Sequence, residues 1–369
     1  MKVIFTCGGT AGHVNPALAL AGYMKKKHPD LEVLFVGTPD GIEKNLAEKA
    51  GYAYTGIEIS SFQRSLKALR HNLHTARTMI SSRREANAVL HRFRPDLVVG
   101  TGGYASYPIL KAAAKRGIPT AVHESNMIPG LTTKLLENSA DIIMVGFEEC
   151  RAHYKHPEKI RVTGTPVRGD FFELTKEEAR AALGYTDRKP LVVSFWGSLG
   201  ASTMNANMLD FFRCEEENRF PFHHIHAAGS RNWPQMQQDL QAAGLTDPRL
   251  DTREYIYNMA VVMRAADLVI SRAGASTISE LTALGIPAIL VPSPYVVANH
   301  QEKNARILEK HSGATVMLET EADGAALYQA ATAILSDPVR LQAMHTGMQE
   351  LGILDATERI YQNVMSLLN

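Results

Sequence analysis

The chain has 369 residues, 45% hydrophobic and 21% charged, an ordinary globular composition too long for one comfortable core. Lysine and arginine number 39 against 38 acids, a formal net charge of +1, so bulk electrostatics predict no nucleic-acid or membrane partner and leave any such contact to a local patch. Cys7, Cys150 and Cys214 are far apart and outside any C-x-x-C spacing, which argues against a disulfide framework or a zinc cluster and for a reducing cytoplasm. No apolar run approaches the ~20 residues of a membrane span. Met1–Thr6 enters a glycine turn at once, as a buried first strand does and a signal peptide does not.

In chain order, Val3–Thr6, Glu32–Val36, Leu97–Gly100, Thr120–His123 and Asp141–Val145 read as strands, with amphipathic helices such as Ala17–Lys27 and Ile42–Lys49 between them. Alternation of this kind implies βαβ units and a parallel sheet. After a linker in which Thr175–Glu178 fits a capping box and Gly184 stops a short helix, the grammar restarts. Leu191–Phe195, His224–Ala227, Leu268–Ser271 and Ala288–Val291 are the strands of a second domain, whose boundary falls near Gly164. The tail, Asp355–Asn369, reads as one helix.

Glycine turns follow three of these strands: Gly8–His13, Gly100–Ser106 and Gly197–Ala201. Glycine tolerates positive φ and lets a ligand approach the backbone closely. The first turn lacks both the G-x-G-x-x-G spacing and the acid after strand two that a dinucleotide dehydrogenase wants. Together the turns describe a ligand cleft between two Rossmann-like halves. The strongest segment is Ser271–Glu280, where Gly274 makes the turn and Ala275, Ser276 and Thr277 offer a helix N-terminus to phosphate oxygens. Glu280 lies one turn on, placed to accept from ribose hydroxyls, although these residues would also make a capping motif. Gln301 and Asn304 suit the hydroxyls of a neutral sugar.

With these motifs in order, the chain closely resembles the MurG family, peptidoglycan glycosyltransferases that add N-acetylglucosamine to the lipid-linked muramoyl-pentapeptide lipid I. The resemblance runs from Gly8 to Asp355–Arg359 and includes Gly8–His13, Gly100–Ser106, His123–Asn126, Gly164–Arg168, Ser198–Ala201, Arg272–Glu280 and His300–Ala305. It implies a GT-B fold, two Rossmann-like parallel-sheet domains facing a cleft. Residues 1–163, joined by the tail helix 355–369, would meet the lipid acceptor and the membrane, and residues 164–354 would bind UDP-GlcNAc. The implied reaction is an inverting transfer of GlcNAc to the 4-hydroxyl of the muramic acid of lipid I, forming lipid II. Thr10, Ala11, Gly12, Asn126, Arg168, Ser198, Ile256, Ala275–Glu280 (Ala275, Ser276, Thr277, Ile278, Ser279, Glu280) and Gln301 would hold the donor, with Ile256 meeting uracil through its backbone. Gly102, Gly103 and Tyr104 would face the acceptor. His13 is the favoured base and Glu124 its rival, which could instead be a structural acid. Trp196, Leu199, Ala11 and Ala227 depart from the family's pattern.

The chain contains no D-x-D motif, and no tightly bound cofactor is implied, though a divalent cation could assist the diphosphate. His223, His224 and His226 alternate along a strand, which separates His223 from the other two and argues against a metal cluster. Residues 59–84 carry Arg64, Lys67, Arg70, Arg77, Arg83 and Arg84 with no acid, interleaved with apolar residues, and read as a contact with an anionic membrane surface. The expected location is therefore peripheral, on the cytoplasmic face of the plasma membrane, with cell-wall or division proteins as further partners. A UDP-sugar epimerase or another glycolipid transferase of the same architecture is the rival reading, and a non-catalytic nucleotide-sugar binder is a further one.

Overall fold

The computed structural model describes residues 1–59, 69–197, 199–247, 249–296 and 299–368. The chain divides into two units, Met1–Val167 with Ile353–Asn369, and Arg168–Gly352. The boundary lies four residues beyond Gly164, because Gly164 is built into the first unit. Its carbonyl accepts from the buried His123 Nε2 at 2.9 Å, and a Cβ there would stand 2.7 Å from Ile353.

In the first unit, β1 (Lys2–Thr6), β2 (Glu32–Gly37), β3 (Ala53–Gly56), β4 (Leu97–Gly100), β5 (Thr120–Glu124), β6 (Ile142–Val145) and β7 (Ile160–Val162) form one parallel sheet in the order β3-β2-β1-β4-β5-β6-β7. Thr6 pairs with Gly100, so the first two glycine turns emerge side by side from neighbouring central strands. The second unit repeats the plan with β8 (Leu191–Phe195), β9 (His223–Ala227), β10 (Asp251–Arg253), β11 (Leu268–Ser271), β12 (Ala288–Leu290) and β13 (Ala314–Val316), ordered β10-β9-β8-β11-β12-β13. Phe195 pairs with Ser271, which places the third turn beside the Arg272–Gly274 segment.

The interior strands are largely buried, as parallel sheets covered on both faces require; most are apolar runs, while β5 and β9 also bury histidines. The strands that sequence reading missed are β3, β7, β10 and β13, the four sheet edges. Being half-covered, they need no apolar run, and β10 is Asp-Thr-Arg. The first helix spans Ala11–Lys27, not Ala17–Lys27, so Gly12 and His13 belong to its first turn. The linker helix Lys176–Ala182 carries the full capping box between Thr175 and Glu178. The tail helix is shorter than expected, Ala356–Met365, and inserts Ile360 and Val364 among Val3, Phe5, Ala17 and Leu20. Among the described residues no helix is long and apolar enough to cross a membrane.

Ile360 is 1% exposed in that core. Ile360→Ala should destabilise the first unit by about 2–5 kcal/mol, read as a lower denaturant midpoint.

Candidate active site

His13 is the centre of the first unit's site. Its Nδ1 lies 2.9 Å from the Gly8 carbonyl and 3.3 Å from Thr10 Oγ1. A carbonyl only accepts, so Nδ1 carries the proton and, in the neutral ring, Nε2 keeps its lone pair. Thr101 Oγ1 fixes the residue from the other side by donating to the His13 carbonyl at 2.6 Å. The second glycine turn packs directly on this arrangement. A Cβ at Gly102 would stand 2.7 Å from the His13 ring, and one at Gly103 only 2.1 Å from the Gly8 carbonyl oxygen. Both glycines have positive φ, +106° and +83°. Gly102 and Gly103 therefore frame the histidine, a role that explains the dense glycine better than acceptor contact alone. Tyr104, 36% exposed, is the member of that turn that presents a side chain to solvent. Thr10 is the exposed N-cap residue, and Ala11 and Gly12 open the helix behind it.

Glu124 does not fit the role of rival base. Its Oε1 accepts from the backbone and side-chain nitrogens of Asn126, both at 3.1 Å, and its Oε2 from Gly130 N at 2.9 Å and Thr133 Oγ1 at 2.8 Å. Four donors fill the acceptor positions of a carboxylate that is 4% exposed, so it braces the loop after β5. The same bonds tie the Asn126 side chain to that loop, away from a first-choice role in donor binding. His123 is likewise structural, its pKa lowered by burial.

In the second unit a cavity of about 680 Å³ opens at the carboxyl ends of β8 and β11. Thr277 and Gln301 line it together with Trp196, Arg231, Arg272 and Glu319. The helix Ala275–Leu284 begins at Gly274 without a side-chain cap, so Ser276 and Thr277 sit inside the first turn and do not form the capping motif. Its leading amides are open to an anion. Ser276 Oγ is buried with no hydrogen-bond partner among the described residues. Ile278 is wholly buried and Ser279 Oγ donates to the Ala275 carbonyl at 2.9 Å, so neither side chain reaches a ligand. Gln301 Oε1 accepts from Ser293 N at 2.8 Å, which turns its NH₂ group outward as a donor. Ile256 is 2% exposed and can contribute only backbone, while Tyr255 and Tyr257 flank it, their rings 5.0 Å apart.

Arg168 and Glu280 belong to a separate cluster. Arg168 pairs with Asp170 at 3.3 Å and lies over the Phe171 ring. Burial pushes the Glu280 carboxyl up to about 7, opposed by Arg168 and assisted by Asp170. Ser198 lies outside the described residues.

Sequence reading missed the Arg272–Glu319 ion pair, 2.6 Å apart with both side chains 11% exposed. Arg272 also donates to the Val291 and Pro292 carbonyls, and its guanidinium lies 5.9 Å from the Trp196 ring. The signal was available: charged residues directly beyond β11 and β13, at the end of the sheet where such folds bind ligands. Asn232 was missed too. It donates to the Leu199 carbonyl and accepts from Ser202, both at 2.7 Å, holding the third turn. Trp196, the chain's departure at this turn, is 4% exposed in the core, whereas Leu199 is 60% exposed.

The histidines of β9 form a polar relay. His224 donates from Nδ1 to Glu215 at 2.9 Å, and Ser194 Oγ stands 2.7 Å from both His224 Nε2 and His226 Nδ1. Burial and the neighbouring His224 pull His226 down to about 3. His223 points elsewhere, to Asp187 at 2.7 Å.

Two parallel sheets of Rossmann type, each gathering its glycine turns or uncapped helix start at the carboxyl ends of central strands, define the GT-B class of glycosyltransferase fold. The chain belongs to glycosyltransferase family 28, whose N-terminal domain matches residues 3–145 and whose C-terminal domain matches residues 191–360. It is 40% identical to the UDP-N-acetylglucosamine–N-acetylmuramyl-(pentapeptide) pyrophosphoryl-undecaprenol N-acetylglucosamine transferase of Acetivibrio thermocellus, over 100% of this chain and 98% of that one. It is 39% identical to the protein of the same name from Caldanaerobacter subterraneus, with 100% of both covered. Among solved structures it is similar to the Acinetobacter baumannii MurG, with a TM-score of 0.78 and 25% identity over 99% of each chain.

Gly103→Ala should lower stability by about 1–3 kcal/mol from backbone strain alone. The added methyl also meets the Gly8 carbonyl, so activity should fall with the melting temperature, which calorimetry and turnover measure together.

Proposed function

We infer that the chain is an inverting hexosyltransferase that moves N-acetylglucosamine from UDP-GlcNAc to the 4-hydroxyl of muramic acid in lipid I, forming lipid II for peptidoglycan. The observation that carries this reading is identity of about two residues in five, across the whole chain, to transferases named for that reaction. The test is an assay with labelled UDP-GlcNAc, with and without a lipid I analogue. Lipid-linked disaccharide is the expected product, and release of free sugar or an epimer without acceptor would sink the assignment.

The residues divide the chemistry as follows. His13 Nε2 takes the proton of the acceptor hydroxyl as its oxygen attacks C1 of the sugar, and the C1–O bond to UDP breaks. Charge developing on the diphosphate is met by the amides at Ala275–Thr277, the Thr277 hydroxyl and Arg231, the last two of which line the cavity. The NH₂ of Gln301 donates to a sugar hydroxyl. Ionised Glu280 accepts from the ribose, and the Ile256 backbone meets uracil. No tightly bound cofactor enters this scheme, and a divalent cation would add only to the compensation of the diphosphate. The protein would work as a peripheral protein at the cytoplasmic face of the membrane, through the basic stretch 59–84. Arg64 and Lys67 of that stretch lie outside the described residues, while Arg83 and Arg84 stand exposed on the helix Leu69–Phe93.

His13→Ala should cut kcat by roughly 10²–10⁴-fold, the range for a lost general base, while leaving the KM for UDP-GlcNAc nearly unchanged. Equal losses in both would place His13 in donor binding instead. Glu280 makes a pH prediction. Its carboxyl is pushed up to about 7, so it gains a proton as pH falls through that value and loses an acceptor for the ribose. Donor KM should rise on the acid side and fall on the alkaline side. In Glu280→Gln it should be high and flat across the same range.

A further inference from the structure

We propose that Glu43 is a positioning residue that fixes the tautomer of His13 and raises its basicity through the Gly8–Gly9 peptide group. This rests on the reading of His13 as the base. The bonds are continuous. Glu43 Oε2 accepts from the Gly9 N–H at 3.4 Å, and the carbonyl of that same peptide unit, Gly8 C=O, accepts from His13 Nδ1 at 2.9 Å. A carboxylate on the N–H side of a peptide draws electron density toward its oxygen, so each hydrogen bond strengthens the next. The result is a carboxylate–peptide–imidazole chain that favours a proton on Nδ1, leaves the Nε2 lone pair free, and stabilises the cation formed when Nε2 takes a proton.

The surroundings are built for a carboxylate. Glu43 is 0% exposed, and its Oε1 accepts from Thr38 N at 2.9 Å and Thr38 Oγ1 at 2.7 Å. It lies in the first turn of the helix Ile42–Lys49, where the helix dipole favours negative charge. Gly37 and Gly41 make the space: a Cβ on either would stand 2.6 Å from Glu43 Cγ or 2.2 Å from its Oε1. The titratable neighbours are Cys7 from β1, Tyr54 from β3 and Tyr104 from the second turn, with Glu48 of its own helix facing Tyr54. Burial and Glu43 itself push Cys7 up to about 12 and both tyrosines upward, so all three stay neutral in the working pH range. The chain is also needed on electrostatic grounds. His13 sits in the first turn of its own helix, whose positive end disfavours an imidazolium, and Glu43 supplies the opposing charge.

The experiment is Glu43→Gln in the full-length protein, which keeps the shape and removes the charge. His13 is titrated by NMR, and in parallel kcat is followed against pH with UDP-GlcNAc and a lipid I analogue. The His13 pKa should fall by about 0.5–1 unit, the low end of a charge effect because a peptide intervenes. The acid limb of kcat should move down by the same amount, while donor KM stays within twofold. If the NMR titration moves and the kinetic limb does not, the relay stands and the base lies elsewhere. If neither moves in a folded variant, the relay is overturned and Glu43 only packs the turn. Should Glu43→Gln fail to fold, Glu43→Asp keeps the charge but draws it back from Gly9. The same titrations should then shift in the same direction, and an unmoved His13 overturns the proposal.

Discussion

The Gly8–Gly9 peptide is the point on which the first unit's site depends. Its N–H faces Glu43, its carbonyl faces His13, and Gly103 lies close enough to the carbonyl that any side chain there would collide. A peptide gripped this way needs three departures from ordinary backbone: positive φ at Gly9, Gly102 and Gly103. Only glycine tolerates these cheaply, at the entropic cost of a floppier unfolded chain. The strand register makes the arrangement possible, because Thr6 and Gly100 are paired neighbours and both turns must leave the sheet at the same level.

The second unit solves a different problem with the same material. Gly200 and Gly229, both at positive φ, approach until a Cβ on Gly229 would stand 2.2 Å from Gly200 N, and Asn232 closes the gap with its side-chain amide. That contact pins the turn after β8 against the start of the helix after β9. The wall is completed by Arg272, whose charge is balanced by Glu319 and whose donors are shared with two carbonyls. A guanidinium held by one carboxylate and two carbonyls is fixed in place, so it shapes the cavity wall and much of its charge is already balanced. In the proposed scheme exposed Arg231 and the uncapped helix start would supply the attraction instead.

Sequence reading reached the architecture because most interior parallel strands are apolar runs buried on both faces, and those runs were visible. Edge strands carry no such demand, which is why β10, three polar residues, was silent. The glycine turns and the Ala275–Glu280 segment were legible for the same reason: special backbone geometry restricts residue choice. Glu43 was not. On an amphipathic helix a glutamate reads as a solvated surface residue, and only Gly37 and Gly41 hinted that something had to fit beneath them. For Glu124 the sequence left two readings open, rival base or structural acid, and its four donors favour the second.

The electrostatics of the two units are opposite, and the reaction requires that. In an inverting transfer a proton passes from the acceptor hydroxyl to the base, so that site gains positive charge. Negative charge collects on the leaving diphosphate, so the other site must stabilise an anion. The first unit meets its half with a buried carboxylate, offset from the imidazole by one peptide group so that the two cannot simply neutralise each other by direct proton exchange. In the proposed scheme the second would meet its half with amides and a hydroxyl that do not titrate in the working pH range, which would keep its affinity for the leaving group independent of the base's titration. Glu280 is the exception in that unit, a carboxyl held near its midpoint at neutral pH. In the proposed scheme it would couple nucleotide binding, rather than the chemical step, to the surrounding pH.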